Sequence, residues 1–246
     1  MASAATTPPC RLIVPTTFSW HEVPECTSTQ ELASIYQGEI PSDGVFFWAR
    51  RQSQGRGRVE GRSWLSPEGG VYLSWLLSCD QPSGMTLLGG LAVARTLQAW
   101  GLEPWLKWPN DCWVAEAKIS GVLADFARGR LVLGLGLNVS SPVEELPAEA
   151  TSMAQHLDAV PTVTDVAYRL RDELLGLWGV HCRRGLAGYL EDVRKISLAA
   201  GRRVEVQVQG EQFQDVVVGL DDSGFLRLQS GRTLVSVDHL RALPLP

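Results

Sequence analysis

Five arginines and three glycines crowd into one short segment, residues 50–62, which we name the cationic loop. The loop carries a net charge of +4, whereas the rest of the chain sums to −9. Glycine lets backbone N–H groups approach an anion closely, and the planar guanidinium group suits phosphate or carboxylate. The composition predicts a flap that orders over an anionic ligand, with a mobile, solvated basic loop as an equally weighted alternative. Neither a P-loop nor a dinucleotide-binding turn fits, because no Gly-Lys-Ser/Thr follows and the glycine spacing differs.

A second polar cluster, with the sequence KWPND, occupies residues 107–111 at the end of a predicted strand. Lys107 could neutralise a phosphate, Asn110 can both donate and accept hydrogen bonds, and Asp111 could bind a metal, act as a base or orient an amine. The alternative is an ordinary Asn-Asp turn after a strand. Lys118 argues against that alternative, because a lysine at the mouth of a buried strand tends to be paired or functional.

Two glycines, Gly134 and Gly136, interrupt a later apolar strand that ends near Asn138. Glycine weakens a strand interior, so the pair suggests that a ligand or another backbone approaches closely. A packing contact beside a helix is the somewhat favoured alternative. Asn138 could bond a nucleotide or a sugar. Trp64, just past the cationic loop, is either a core residue or a ring on which a base stacks.

Taken in order, these motifs resemble those of biotin protein ligases. The family pattern is Ser-Thr-Asn, then GRGRxGRxW, KWPND, a lysine seven residues later, and GxGxN, and it resembles this chain over residues 26–140. The matching segments are Ser28-Thr29-Gln30, residues 55–64, residues 107–111, Lys118 and residues 134–138. Two departures stand out. Gln30 replaces the commoner Asn, and Val59-Glu60 makes the loop one residue longer than usual.

The resemblance implies a biotin–[biotin carboxyl carrier protein] ligase, with biotin as substrate and ATP and Mg²⁺ as cofactors. In its first step biotin and MgATP would give biotinyl-5′-AMP and pyrophosphate. In its second step the ε-amine of a lysine on a carrier domain, such as that of acetyl-CoA carboxylase, would attack the adenylate and release AMP.

The resemblance also implies a role for each matching residue. Catalysis would fall to Arg58, Lys107, Asp111 and Lys118. Biotin would be contacted by Ser28, Thr29, Gln30, Gln52, Arg56, Gly57, Arg58, Lys118, Gly121, Gly134 and Gly136. The nucleotide would be served by Arg62, Trp64, Lys107, Asn110 and Asn138. Asp111 would orient the acceptor amine and help to remove its proton, and magnesium would arrive with ATP near Asp111.

The elements that must position these residues mix helices and strands without strict alternation, which predicts an α+β fold. Residues 1–198 are predicted to form the catalytic domain, and the resemblance implies a mixed sheet flanked by helices, similar to class II synthetases. Residues 199–246 contain short strands between turns and predict a small β-barrel, which the resemblance implies to be SH3-like. Thr164 is predicted to cap a helix that runs to about residue 182, and a further helix is predicted over residues 186–196.

Composition narrows the function classes. The chain has 246 residues, 45% of them apolar, and a net charge of −5, which disfavours a generally basic nucleic-acid binder. No apolar run approaches the ~20 residues of a membrane span, and no secretory signal is evident. We therefore expect a cytoplasmic enzyme, able to form a homodimer, that binds neither nucleic acid nor membrane. The residues before Ser28 are too few for a helix-turn-helix domain, so no repressor role is expected.

Two other functions remain alternatives. A lipoate or octanoate transfer enzyme shares the fold and also acylates a carrier lysine, but the GRGR and KWPND motifs argue against it. A non-enzymatic nucleic-acid-binding module could use the cationic loop and the β-barrel, and it predicts salt-sensitive binding without ATP. The acidic remainder of the chain disfavours the second alternative.

Overall fold

The computed structural model describes residues 17–59 and 61–243. Within them, seven strands form one sheet in the order β1-β2-β3-β7-β6-β5-β4. These strands are β1 (Ser19–Cys26), β2 (Val45–Gln52), β3 (Gly70–Ser78), β4 (Pro104–Lys107), β5 (Asp111–Val114), β6 (Ala117–Ala127) and β7 (Arg130–Asn138). Strands β1 and β2 run parallel and every other neighbouring pair is antiparallel, so the predicted mixed sheet is confirmed.

Helices cover both faces of this sheet. They are α1 (Thr29–Ile35), α2 (Met85–Gln98), α3 (Val163–Arg184) and α4 (Leu190–Ile196). Side chains alternate across a strand, and in β2 this alternation sends Val45 and Phe47 towards α1 and Phe46 and Trp48 into the larger core. Helix α2 packs against β4, β5, β6 and β7 on the side of that larger core, with α3 beside it. A continuous apolar run such as β2 is therefore buried on both faces.

A second, five-stranded antiparallel sheet follows near the C-terminus. Its strands are β8 (Arg203–Val208), β9 (Glu211–Leu220), β10 (Leu226–Leu228), β11 (Thr233–Leu234) and β12 (His239–Ala242), in the order β11-β10-β9-β8-β12. We name these strands the C-terminal module. In the described residues β11 and β12 are the two ends of the order and do not pair, so the sheet is not closed and a barrel is not confirmed. The short β11 offers only two residues for pairing.

The C-terminal module shares one apolar core with the larger sheet and its helices. Its Val204, Val206 and Leu240 belong to the same apolar core as Trp48 and Leu106 of the larger sheet. The predicted domain boundary between residues 198 and 199 therefore remains a prediction.

Several sequence-based predictions of elements were wrong. The long helix α3 begins at Val163, and its cap is Thr162, whose Oγ1 accepts a hydrogen bond from the Asp165 N–H at 3.1 Å. The cap is therefore not Thr164. The helix predicted over residues 186–196 divides into a 3₁₀ turn over Leu186–Gly188 and α4, because the backbone of Tyr189 leaves the helical region between them. Strands β5 and β12 were not predicted at all.

The prolines and threonines of residues 1–20 predict a loose arm with one short strand, and most of this segment lies outside the described residues. Its last residues, from Ser19 onwards, begin strand β1. Over residues 17–59 and 61–243, no helix is both long and apolar enough to cross a bilayer.

Candidate active site

One cavity opens beside β6 and β7 at the start of α1, and we name it the inner cavity. All eleven residues predicted to contact biotin line it: Ser28, Thr29, Gln30, Gln52, Arg56, Gly57, Arg58, Lys118, Gly121, Gly134 and Gly136. They come from α1, β2, the cationic loop, β6 and β7, and are therefore brought together by the sheet order. Its other lining residues are Trp64, Ser74, Asn110, Val122, Leu123 and Leu135.

The floor of the inner cavity is a buried hydrogen-bond network. Ser28 occupies the N-cap position of α1, but its side chain makes no capping bond. The N–H and hydroxyl of Thr29 both donate to Gln52 Oε1, at 2.8 and 3.1 Å. Ser74 on β3 donates its hydroxyl to Thr29 Oγ1 at 2.8 Å. Such a network holds polar groups in fixed orientations, because an unpaired buried polar group is costly.

Gln30 extends this network towards β6 and β7. Its amide nitrogen donates to Asp125 Oδ2 at 3.1 Å and to the Val132 carbonyl at 3.0 Å, and its Oε1 lies 3.1 Å from the Ser74 hydroxyl. Both amide hydrogens and the amide oxygen thus have partners, which fixes the orientation of the side chain. A Cβ at Gly134 would lie 2.4 Å from Gln30 Oε1. Glycine at this position therefore makes room for Gln30.

Trp64 forms the wall at the open end of the inner cavity. A Cβ at Gly136 would lie 2.5 Å from the Trp64 ring, and one at Gly121 would lie 3.1 Å from it. The Lys118 ammonium group lies 5.3 Å from the ring centroid, within the range of a cation–π contact. The two strand glycines, Gly134 and Gly136, are therefore explained by approaching side chains. For Gly134 that side chain belongs to the neighbouring helix α1, as the packing alternative predicts, whereas for Gly136 it is the ring of Trp64.

The cationic loop folds back on itself next to this wall. Gly57 N–H donates to the Arg62 carbonyl at 2.9 Å, and Trp64 N–H donates to the Gly55 carbonyl at 2.9 Å. The Arg56 guanidinium lies 3.6 Å from Asp125 Oδ2. The loop thus borders the inner cavity in this structure, and its ordering over an anionic ligand stays a prediction.

Arg58 joins the cationic loop to the C-terminal module. Its Nη2 donates to the Val237 carbonyl at 2.6 Å. Burial lowers the pKa of Arg58, while Asp111 and Asp238 act in the opposite direction. The guanidinium nevertheless stays charged, because an arginine does not lose its proton in proteins.

Two adjoining cavities lie on the other side of Trp64, and we name them together the outer cavities. They share Gly57, Arg58, Trp64, Asn110 and Lys118 with the inner cavity. All five residues predicted to serve the nucleotide line them: Arg62, Trp64, Lys107, Asn110 and Asn138. The Asn110 amide nitrogen donates to the Val122 carbonyl and that of Asn138 to the Thr151 carbonyl, both at 2.9 Å. Within the described part of the chain the Asn138 Oδ1 is buried without a partner, so it can accept a hydrogen bond from a ligand.

Three charged side chains from β4, β5 and β6 cluster between the cavities. Lys118 Nζ lies 2.7 Å from Asp111 Oδ1, which confirms the expectation that Lys118 is paired or functional. Burial lowers the pKa of Lys107, and Asp111 partly offsets this effect. The ammonium group of Lys107 also lies 4.5 Å from the Trp113 ring centroid. The cluster concentrates positive charge where an anionic group could bind.

The described residues form no group of three or more His, Cys, Asp or Glu side chains that could hold a metal ion. Asp111 is already engaged by Lys118. Magnesium is commonly bound through substrate phosphates with only one or two carboxylates, so it fits here as part of the nucleotide. A position near Asp111 stays a prediction.

Sequence reasoning missed several residues that line or border the cavities, among them the polar residues Ser74, Asp125 and His239. Ser74 is fully buried and lines the inner cavity, and its signal was a single hydroxyl inside an apolar strand. Asp125 bonds Gln30, but it follows the recognised motif without belonging to it. His239, on β12, lines both outer cavities although it lies far along the chain from the other lining residues.

Comparison with known proteins places this fold in a family of protein ligases. Residues 22–140 match the model of the Biotin/lipoate A/B protein ligase family. That segment contains the floor network, the cationic loop and the lysine–aspartate cluster.

Individual relatives narrow this family to the ligases that act with biotin. The chain is 37% identical to the biotin–[acetyl-CoA-carboxylase] ligase of Mycobacterium tuberculosis over 81% of this chain and 80% of that protein. It is 27% identical to the bifunctional ligase/repressor BirA of Bacillus subtilis over 89% of this chain and 71% of that protein. Its fold matches the Aquifex aeolicus biotin protein ligase in complex with biotin and ATP, with a TM-score of 0.81, 26% identity, and coverage of 92% of this chain and 99% of that chain. The chain therefore belongs to the biotin protein ligase family.

Proposed function

We propose that this chain attaches biotin to a lysine of a biotin carboxyl carrier domain in two steps, through biotinyl-5′-AMP. The observation that carries the proposal is that the inner and outer cavities share one wall, formed by Trp64 and Lys118. Every residue expected to contact biotin lines the inner cavity, and every residue expected to serve the nucleotide lines the outer cavities. Two reactants bound on either side of Trp64 would meet at Arg58 and Lys118. Such proximity is the main requirement of an adenylation.

In the first step the biotin carboxylate attacks the α-phosphorus of ATP. A carboxylate O–P bond forms, the bond to the β-phosphate oxygen breaks, and pyrophosphate leaves with the electron pair. Arg58 and Lys118 lie at the junction, and Arg62 and Lys107 lie on the nucleotide side. Their positive charges would stabilise the negative charge that develops on the phosphoryl oxygens.

In the second step the neutral amine of an acceptor lysine attacks the acyl carbon, and AMP leaves. Asp111 is the carboxylate that faces this junction from β5, paired with Lys118 at 2.7 Å. We assign to Asp111 the orientation of the incoming amine and the acceptance of its proton. The lysine of the carrier would then take the place of Lys118 as the partner of Asp111.

The cationic loop would protect the intermediate. A mixed anhydride hydrolyses readily, so a cover that excludes water preserves it. The loop is held by its own backbone hydrogen bonds and by Arg58 against Val237. We therefore expect Arg58→Gly to make measurable adenylate but to release it. An Arg58→Gly protein that retains the adenylate as tightly as wild type would contradict the flap role.

The decisive experiment separates the two half-reactions. Biotin-dependent exchange between ATP and labelled pyrophosphate measures the first step, and transfer of biotin to a purified carrier domain measures the second. We expect exchange with biotin and none with lipoate. We also expect Asp111→Asn to retain exchange while transfer falls by about 100-fold. Absence of exchange in folded wild-type protein would refute the proposed function.

The remaining expectations about partners and location belong to the same proposal. We propose a cytoplasmic ligase whose partner is the carrier domain of acetyl-CoA carboxylase or a similar enzyme, without nucleic-acid or membrane binding and without repressor activity. The edge strand β1 offers a surface for a homodimer, whereas the edge of β4 is partly covered, because the Leu198 N–H donates to the Leu106 carbonyl at 3.0 Å. Sedimentation of the protein with and without biotin and ATP tests the dimer.

A further inference from the structure

Asp125 links the floor of the inner cavity to the cationic loop. It lies on β6, and its side chain is 41% exposed. The same oxygen, Oδ2, accepts a hydrogen bond from Gln30 Nε2 at 3.1 Å and lies 3.6 Å from Arg56 Nη1. A further depression lies along the cationic loop between residues 53 and 63, and we name it the outer face of the loop. Among the described residues that line this depression and the inner cavity, Asp125 is the only carboxylate.

The Gln30 side of this link is rigid. Gln30 is 3% exposed, and its second amide hydrogen is held by the Val132 carbonyl at 3.0 Å. The carboxylate of Asp125 therefore receives its bond from a group that cannot turn away without breaking buried hydrogen bonds. A shorter amide side chain than Gln30 would place its nitrogen farther from β6.

The Arg56 side of the link is more exposed and its contact is longer. The Arg56 side chain is 54% exposed and its contact with Asp125 is at salt-bridge distance. An exposed ion pair contributes little to stability, so its main effect is on where the guanidinium points. Arg56 lines the inner cavity as well as the outer face of the loop.

We propose that Asp125 is a positioning residue, which acts through Arg56 to hold the cationic loop over bound biotin. The hydrogen bond from Gln30 fixes the Asp125 carboxylate. The negative charge of this carboxylate then draws the guanidinium of Arg56 towards the mouth of the inner cavity. This inference rests on the proposed function, because it concerns the same site. The proposed function does not require Asp125, whereas the positioning role predicts that biotin affinity depends on this residue, which lies outside the recognised motifs.

The test uses biotin binding without nucleotide, measured by calorimetry on the full chain. Asp125→Asn keeps an oxygen that can accept from Gln30 but removes the charge that attracts Arg56. We expect the biotin Kd to rise about fivefold. Asp125→Ala removes both contacts and should raise the Kd further, whereas Asp125→Glu should restore most of the affinity.

A double-mutant cycle shows whether the effect passes through Arg56. In an Arg56→Gln background, Asp125→Asn should change the Kd by less than about twofold, because the partner is already gone. Ligand-free Asp125→Asn protein should also be cut faster by trypsin within the cationic loop than wild type. The control is Asp192→Asn, which breaks an ion pair with Arg95 of similar exposure on α2 and α4. It should change neither measurement.

The outcomes separate the inference from the proposed function. If wild-type protein binds no biotin, the proposed function fails. If wild type binds biotin and Asp125→Asn binds it equally well, the positioning role of Asp125 is refuted. The role is also refuted if Asp125→Asn weakens binding to the same extent with and without Arg56.

Discussion

The polar side chains at the floor of the inner cavity are buried and linked by hydrogen bonds, whereas the charged side chains where this cavity meets the outer cavities are partly exposed. Ser28, Thr29 and Gln30 are each no more than 3% exposed, and the hydroxyl of Ser74 connects the last two. On the other side of Trp64, Lys118 and Asp111 retain 28% and 19% side-chain exposure. The floor of the inner cavity is therefore organised without a ligand, whereas the charged groups beside the outer cavities concentrate charge that a bound anion would neutralise.

This difference follows from the elements that build each side. The inner floor stands on α1, β2, β3 and β7, which are fixed by the apolar core. The outer cavities combine the ends of β4 and β5, the cationic loop and β12 of the C-terminal module. Fixed dipoles suit a neutral ring that must be recognised by shape and hydrogen bonds, and clustered cations suit phosphates. Mutations on the two sides should therefore differ in which substrate they affect and by how much.

The largest effect is expected at the shared wall. Lys118→Met keeps most of the length of the side chain but removes the charge at the junction and leaves Asp111 without its partner. We expect biotin-dependent pyrophosphate exchange to fall by roughly 100- to 1,000-fold, because a charge aimed at the developing transition state is lost. Lys195→Met, on the exposed face of α4, is the control and should retain full activity. Exchange within tenfold of wild type in Lys118→Met would contradict a catalytic role for Lys118.

A pair of glycine variants should separate the two sides. In Gly134→Ala the new methyl group would lie 2.4 Å from Gln30 Oε1, so the biotin Kd should rise roughly tenfold while the KM for ATP stays unchanged. In Gly136→Ala it would lie 2.5 Å from the Trp64 ring, which borders both sides. Both substrates should then bind more weakly. Gly176→Ala, where a methyl group meets nothing within 4 Å, is the control. If Gly134→Ala weakened ATP as much as biotin, the two-sided description would fail.

Ser74→Ala tests whether the inner floor is organised in advance. It removes a fully buried hydroxyl that donates to Thr29. We expect a loss of about 1–2 kcal/mol in the free energy of unfolding, because Thr29 loses a buried donor. Urea unfolding monitored by tryptophan fluorescence measures it, and the biotin Kd should rise by several-fold while the KM for ATP does not change. Unchanged stability together with unchanged biotin affinity would show that the network contributes nothing.

The smallest effect is expected from His239→Gln on the outer side. Burial lowers the pKa of His239, Lys107, Arg62 and Arg241 lower it further, and Glu149 acts in the opposite direction. These effects favour the neutral imidazole, whereas a bound triphosphate would favour its protonated form.

As the pH falls below 7, protonation of His239 should lower the KM for ATP in wild type by less than about threefold. His239→Gln should lack this extra dependence. ATP titrates identically in both assays, so its contribution cancels when the pH profiles of wild type and His239→Gln are compared. Identical profiles would show that His239 does not sense the nucleotide.

The elements and motifs with a strong local signal were predicted correctly from the sequence. The sequence predicts strands over residues 45–49 and 71–77 and a helix over residues 85–100, and the structure has β2, β3 and α2 there, because these patterns depend on burial that extends over many residues. Strand β5 was missed because four residues after a turn carry too little pattern to identify a strand. The motif residues were expected to share a site, and the sheet order brings them together.

Other site residues could not be predicted, because they depend on tertiary contacts. Asp125 is an ordinary half-exposed carboxylate until Gln30 and Arg56 are placed beside it. His239 reaches the outer cavities only through the packing of the C-terminal module. The glycines of β7 could be recognised as a sign of close approach, but not that the approaching groups are Gln30 and Trp64.

Three contacts join the larger sheet and its helices to the C-terminal module by the same chemistry. Arg58 donates to the carbonyl of Val237 at 2.6 Å, Trp108 to that of Gly224 at 3.0 Å, and Arg194 to that of Leu220 at 3.1 Å. In each case the side chain comes from the catalytic part and the acceptor is backbone. A carbonyl is present whatever residue occupies the position. Sequence changes in the module can therefore preserve these three contacts as long as its backbone keeps its course, whereas the buried Val204 and Val206 and the ion pair of Arg194 with Asp222 depend on the side chains themselves.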